Sequence, residues 1–253
     1  MSCNVMVIGA NRGLGFALTK RMINTTPCNI IAGVRDPSKA RESMTASLGS
    51  GMDRIMMLPI DVTNEETIEK AANVASSSLG SEPLRLLLHC PGILHAEKSI
   101  KQCHYEDVLE TYKVNAMGPL FVAKHFYSLV AGGQPTKGLP DVGVFATISA
   151  RTGSIADNEL GGWYSYRSSK AALNQSIRSL AHELKYRKMD SIAVALHPGT
   201  VKTDLSREFQ KNVKPEKLFS PDQSAGYLLE VIEKLKHADN GGFFAYDGNR
   251  IPY

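Results

Sequence analysis

The sequence has no apolar run approaching the length of a membrane span, no block of like charge and no Cys-x-x-Cys pair. A helical span needs ~20 consecutive apolar residues, so no membrane partner is expected. The formal charge of +4 is mild and spread along the chain, which argues against nucleic acid or an anionic membrane and leaves room for an anionic small molecule. The four cysteines, Cys3, Cys28, Cys90 and Cys103, have no histidine cluster at metal spacing, so no metal is expected and reduced thiols are. The chain goes directly into Val5-Met6-Val7-Ile8 without a charged leader, so a soluble cytoplasmic protein is expected. His182-Glu183 lacks the second His of a zinc-protease helix, and there is no Gly-x-Ser-x-Gly elbow and no internal repeat.

What is present is an alternation of short β-rich runs with longer helical patterns over 253 residues, the mark of repeated βαβ units around a parallel sheet. Candidate strands lie at 5–8, 30–34, 55–58, 84–89, 142–148, 192–196 and 243–245. They are nearly continuous apolar runs, as strands covered on both faces should be. Helical patterns fall at 14–24, 39–48, 65–79, 104–130, 165–186 and 221–236. Ile68, Ala71, Ala72, Ala75 and Leu79 form one apolar stripe, and Leu173, Ile177, Leu180 and Leu184 another. Asp36-Pro37 and Ser220-Pro221 each put a capping residue before a first-turn proline. Residues 131–141, rich in Gly and Pro, are expected to form an exposed connection, and the charged segment 204–219 a flap over a substrate. With no linker in view, the expected fold is one α/β domain: a Rossmann-type, doubly wound parallel sheet of about seven strands.

Two motifs carry chemistry. Gly9-Ala10-Asn11-Arg12-Gly13-Leu14-Gly15 follows the first strand and opens the first helix. Glycines there serve a tight βα turn, and they also let a pyrophosphate reach backbone N–H groups at a helix N-terminus. Further on, Tyr166 alone among nine tyrosines has a lysine, Lys170, four residues later. On a helix the two share a face. The ammonium is expected to lower the phenol's pKa from ~10 and fit it for proton exchange with an alcohol or carbonyl oxygen.

The spacing Gly-x-x-x-Gly-x-Gly together with Tyr-x-x-x-Lys resembles the short-chain dehydrogenase/reductase family over nearly the whole chain. Asp61, Asn115, a serine after the fifth strand and His197-Pro198-Gly199-Thr200-Val201-Lys202-Thr203 follow in the family's order. The last motif and the terminal Asn240-Gly241-Gly242-Phe243-Phe244-Ala245-Tyr246-Asp247-Gly248 look like the sniffer-type carbonyl reductase and C-factor-like branch. The resemblance implies a hydride-transferring oxidoreductase in which Tyr166 is general acid, Lys170 tunes it and binds the nicotinamide ribose, and Asn115 serves a water-mediated relay. It also implies that Gly9, Asn11, Arg12, Gly13, Leu14, Gly15 and Gly92 meet the dinucleotide. Asp61 would accept from the adenine amino group with Val62 beside the ring, or else cap the next helix. Pro198, Gly199, Val201 and Thr203 would hold the nicotinamide end.

Selection between cofactors turns on the second strand, where an acid would bind both ribose hydroxyls and repel a 2′-phosphate. Here it ends Gly33-Val34-Arg35-Asp36, and Arg12 and Arg35 supply two guanidiniums suited to a phosphate. NADP(H) is therefore expected over NAD(H), unless Arg35 is merely a solvated surface residue. Two positions depart from the family. In Ser149-Ala150-Arg151-Thr152-Gly153 the usual catalytic serine position holds Ala150, and Ser149 stands as candidate if a bulge restores its direction. In His89-Cys90-Pro91-Gly92, where the family commonly has Asn-Asn-Ala-Gly, only the glycine survives, and a packed strand terminus is expected. Trp163 and Tyr164 are expected to wall a pocket for a small carbonyl substrate: an aldehyde, ketone or quinone. The alternative is a dinucleotide-binding signalling or sensor protein with little turnover. Relatives often pair through the fourth and fifth helices, so a homodimer is expected.

Overall fold

A computed structural model describes residues 3–253. Seven strands, β1 (Asn4–Ile8), β2 (Asn29–Val34), β3 (Ile55–Pro59), β4 (Leu84–His89), β5 (Gly143–Ile148), β6 (Ser191–His197) and, after two short strands, β9 (Phe243–Ala245), form one parallel sheet. Its order is β3-β2-β1-β4-β5-β6-β9. The short strands β7 (Thr200–Val201) and β8 (Leu218–Phe219) pair with each other. The helices are α1 (Gly13–Thr25), α2 (Pro37–Leu48), α3 (Glu65–Leu79), α4 (Tyr105–Tyr112), α5 (Gly118–Phe126), α6 (Tyr164–Tyr186) and α7 (Pro221–Glu233). The order reverses between β1 and β4, which opens a crevice at the carboxyl ends of those strands.

Both faces of the sheet are covered, which is why its strands read as unbroken apolar runs. One core joins Val5, Val7, Ile30, Leu86, Leu88, Val144 and Val194 to Leu18 and Met22 of α1 and Leu228 of α7. The other joins Met6, Leu87, Phe145 and Ala193 to Ile68 of α3, Val122 and Phe126 of α5, and Leu173 and Ile177 of α6. Alternate residues of each strand feed opposite cores, so a one-residue slip would exchange them.

Three expectations need correction. The pattern over 104–130 is not one helix: a π turn at Lys113–Met117 separates α4 from α5. Pro119 has no N–H for the carbonyl of Asn115 four residues earlier, and its ring crowds that carbonyl. The ladder widens instead, with Gly118 N–H donating to the Lys113 carbonyl. The thiols are not all reduced, because Cys3 and Cys28 form a disulfide while Cys90 and Cys103 are free. The parallel register that pairs Asn4 with Asn29 puts the residues before them side by side, with Cα atoms 4.4 Å apart. Closing a loop 25 residues apart is worth about 3 kcal/mol on chain-entropy grounds. The 131–141 connection is also more than a surface loop. Buried Arg85 donates to the carbonyls of Gln134 (2.5 Å) and Pro140 (2.6 Å).

Leu173 is fully enclosed between α6 and the sheet. Leu173→Ala is expected to lower stability by about 2–5 kcal/mol in urea unfolding. Val74→Ala, on the exposed side of α3, is expected to stay within about 0.5 kcal/mol of the parent.

Candidate active site

At the crevice, β1 turns into α1 through Gly9 (φ +78°) and Gly13 (φ +54°), both in the left-handed region. Gly15 is fixed by space: a Cβ there would lie 2.1 Å from the Gly9 carbonyl oxygen. Asp36, Asn64 and Ser220 cap α2, α3 and α7, whereas α1 receives no side-chain cap. Its first-turn N–H groups face a glycine cradle, a fit for the pyrophosphate of a dinucleotide. Asn11 and Arg12 are exposed at the rim, and Leu14 is half-buried against the core.

Arg35 is exposed beyond β2 and lies near enough to Asp61 for its charge to act there. Burial alone would raise the Asp61 carboxyl. Hydrogen bonds from the Thr63 hydroxyl (2.7 Å) and N–H (2.9 Å), with the Arg35 charge, outweigh it and hold the group below the usual carboxylate range. Asp61 does not cap α3, since Asn64 does that by accepting from Glu66 N–H. Val62 packs against Gly118, where a Cβ would come within 3.0 Å of it.

Deeper in the crevice, three elements converge. Asn115, wholly buried in the π turn, accepts from Ile93 N–H (2.9 Å) and donates to the Ile93 carbonyl (2.9 Å) and Ser169 hydroxyl (3.1 Å). It thereby ties the segment after β4 to α6. Lys170, 2% exposed, donates to the Ile148 carbonyl at 2.8 Å. Gly92 floors the space, for a Cβ there would lie 3.5 Å from Asn115 Oδ1 and 3.6 Å from Lys170 Nζ. Gly153 is pressed against the same lysine, with a Cβ falling 2.7 Å from Lys170 Cβ.

Tyr166 is 7% exposed, and the Lys170 ammonium lies 5.8 Å from its ring centre. The expected lowering of the phenol's pKa is not found. Burial pushes the phenol up; burial also pulls Lys170 down to about 8, so the lysine keeps its charge near neutral pH, but that charge does not offset the phenol's burial. Tyr166 therefore keeps its proton at neutral pH. His89 and Cys90 end β4 as packed residues: burial pulls His89 down to about 3 and pushes the Cys90 thiol up to about 12.

Ser149 departs most from expectation. The β5–β6 register runs unshifted from Gly143↔Ser191 to Ile148↔Leu196, and Ser149 N–H continues onto the Leu196 carbonyl at 2.7 Å. No bulge turns the side chain. Its hydroxyl donates to Asn174 Oδ1 at 2.7 Å, two helical turns along from Tyr166, and it is 2% exposed. Its proton is thus directed at α6. Ala150 follows with no hydroxyl to offer.

Residues 198–203 close the crevice from above. Gly199 (φ +74°) lies under the Phe219 ring, and Thr203 reaches Gly13, its methyl 3.5 Å from where a Cβ would stand. The β7–β8 pair joins the two ends of the segment expected as a flap, which is wound into three 3-10 turns. From it, Leu205 reaches Gly92 and Phe209 packs on Trp163 with ring centres 4.8 Å apart. Trp163 stands edge-on to Tyr166 at 6.3 Å, and Tyr164 is exposed beside it. The sequence reading missed Ile93 and Asn174, and named Leu205 and Phe209 only as part of the 204–219 segment. Asn174, eight residues after Tyr166 on its helix, carried a visible signal.

The family model described as short chain dehydrogenase matches residues 3–214. The NADPH-bound carbonyl reductase from chicken fatty liver is 30% identical with a TM-score of 0.86, covering 100% of both chains. The carbonyl reductase Sniffer of Drosophila melanogaster is 28% identical with a TM-score of 0.83, again over 100% of both. The C-signal of Myxococcus xanthus is 33% identical over 171 residues, 68% of this chain and 93% of its own. Like the chain described here, the two structures are similar folds throughout their length.

With its hydroxyl on Asn174, Ser149→Ala is expected to cost about 1–2 kcal/mol of stability in denaturant unfolding and less than about tenfold in turnover. A collapse of turnover without loss of stability would return Ser149 to the reaction.

Proposed function

The chain belongs to the short-chain dehydrogenase/reductase family, and from that premise we propose that it is an NADPH-dependent reductase of aldehydes, ketones or quinones. The observation that carries this reading is the buried Tyr166 hydroxyphenyl ring beside Lys170, with Asn115 close by, at the crevice of a dinucleotide fold. A bound nicotinamide supplies the hydride, and the protein supplies placement and the proton. Tyr166 gives its proton to the substrate oxygen as that oxygen gains charge, converting the carbonyl to an alcohol. The Lys170 ammonium steadies the phenolate left behind. The Asn115 carbonyl, which Pro119 leaves without its usual i+4 donor, would accept from a water that returns a proton to Lys170.

Gly9, Asn11, Gly13, Leu14 and Gly15 would cradle the pyrophosphate, and Arg12 and Arg35 the 2′-phosphate. Asp61 and Val62 would meet the adenine, with Gly92 at the ribose. Pro198, Gly199, Val201 and Thr203 would hold the carboxamide end. Trp163, Tyr164, Leu205 and Phe209 give the 204–219 flap and its opposite wall an apolar lining suited to an aromatic or alkyl carbonyl. Tyr166 would act on the carbonyl without a second hydroxyl, because Ala150 occupies that place. A homodimer paired through α4–α5 and α6 goes with this reading. A dinucleotide-binding signalling protein with little turnover is the second reading, favoured by Ala150.

A panel of small carbonyls with NADPH separates the two readings. Turnover is expected, and Tyr166→Phe should lower it by at least ~100-fold. Tight NADPH binding with no Tyr166-dependent consumption would establish the second reading. NADPH should bind at least ~10-fold more tightly than NADH, and Arg35→Ala should narrow the gap. Equal affinities in the parent would remove the phosphate role of Arg35. The pH profile follows from Lys170: below about 8 it is charged and steadies the phenolate, and above it the charge is lost. Reductive kcat/KM should hold near neutral pH and fall as pH rises past about 8.

A further inference from the structure

Immediately before α6 the chain makes a left-handed turn of three successive residues, Gly161 (φ +62°), Gly162 (φ +67°) and Trp163 (φ +48°). Glycine adopts this at little cost, but for Trp163 it costs on the order of 1–2 kcal/mol. A large residue stays there only if its surroundings over-determine it. Those surroundings are led by Glu97, a carboxylate only 5% exposed in the segment after β4. Its main-chain carbonyl accepts from Trp163 N–H at 2.6 Å, and its Oε1 accepts from the Ser165 hydroxyl. Arg167 completes the turn by donating to the carbonyls of Gly161 (3.0 Å) and Gly162 (3.1 Å).

We propose that Glu97 is a positioning residue. Its carboxylate, bonded to Ser165 at the start of α6, holds the turn that aims Tyr166 into the crevice and sets the Trp163 indole where Phe209 closes on it. The placement is physically favourable, since α6 has no side-chain cap of its own and its amino end attracts negative charge. Glu97 Oε2 is buried without a partner among the described residues, a cost that a neutral side chain of similar shape would lessen. An apolar residue at 97 would leave the Ser165 hydroxyl unpaired at the residue preceding Tyr166. Trp163 touches both the catalytic ring and the flap, so a loosened turn should disturb proton delivery and flap closure together. The glycine loop lies on other elements and should bind cofactor as before.

Trp163 is the chain's one tryptophan, so its fluorescence reports on this turn without reference to activity. The test compares the parent with Glu97→Ala, Glu97→Gln and Ser165→Ala by Trp emission, acrylamide quenching, NADPH affinity and carbonyl turnover. Glu97→Ala and Ser165→Ala should shift emission to longer wavelength and raise quenching at least twofold. They should also lower kcat by at least ~10-fold, with the NADPH Kd within about twofold of the parent. Glu97→Gln, which keeps an acceptor for Ser165, should restore both emission and kcat. Unchanged Trp163 emission in Glu97→Ala would overturn the proposal. So would a Gln variant no better than Ala, or NADPH binding lost in step with kcat in both Ala variants. The kinetic half rests on Tyr166 as proton donor, and Tyr166→Phe is therefore measured alongside. Turnover surviving in that variant would sink the Tyr166 reading and leave the fluorescence result to decide whether Glu97 holds the turn.

Discussion

Lys170 is almost wholly enclosed, and the one protein acceptor recorded for its ammonium among the described residues is the Ile148 carbonyl at the end of β5. Removing an ammonium from water costs several kcal/mol, and a main-chain dipole returns only part of that. Much of the local sequence follows from that cost. Gly153 is small because the lysine runs past it, and Gly92 lies alongside the same ammonium. Asn115 is tied to Ile93 and Ser169, which fixes the segment after β4 and α6 around the same space. The result is an ammonium that gives up its proton near pH 8, next to a phenol that keeps its own.

The sheet was legible because its strands are buried on both sides, so each is an apolar run bounded by turn residues. The third helix was read to the residue, because its stripe and the glycine that follows agree. The break at Lys113–Met117 was less visible: apolar periodicity carries across it, and only Pro119 marks the lost hydrogen bond. The disulfide escaped because it depends on the register between two strands, which spacing along the chain does not express. The direction of Ser149 was hidden for a related reason. Its direction is set by the unshifted β5–β6 ladder and by Asn174, a partner 25 residues away. The direction of the Tyr166 shift needed burial, which a Tyr-x-x-x-Lys spacing does not state.

Around the crevice, the main chain and the aromatic side chains contribute different parts. Main-chain geometry shapes the walls, through Gly15 and Gly153, where a Cβ would strike backbone and lysine respectively. The cover is made of rings. Phe219 packs on Tyr246 and Tyr227 at its root, and Phe209 meets Trp163 at its edge. The β7–β8 ladder joins the two ends of the cover at its root.

The Cys3–Cys28 bond encloses β1, the glycine loop and α1 in a covalent ring. A protease that cut the exposed Asn11–Arg12 peptide would open the loop without parting the chain. The two pieces would migrate as one until the sulfurs were reduced.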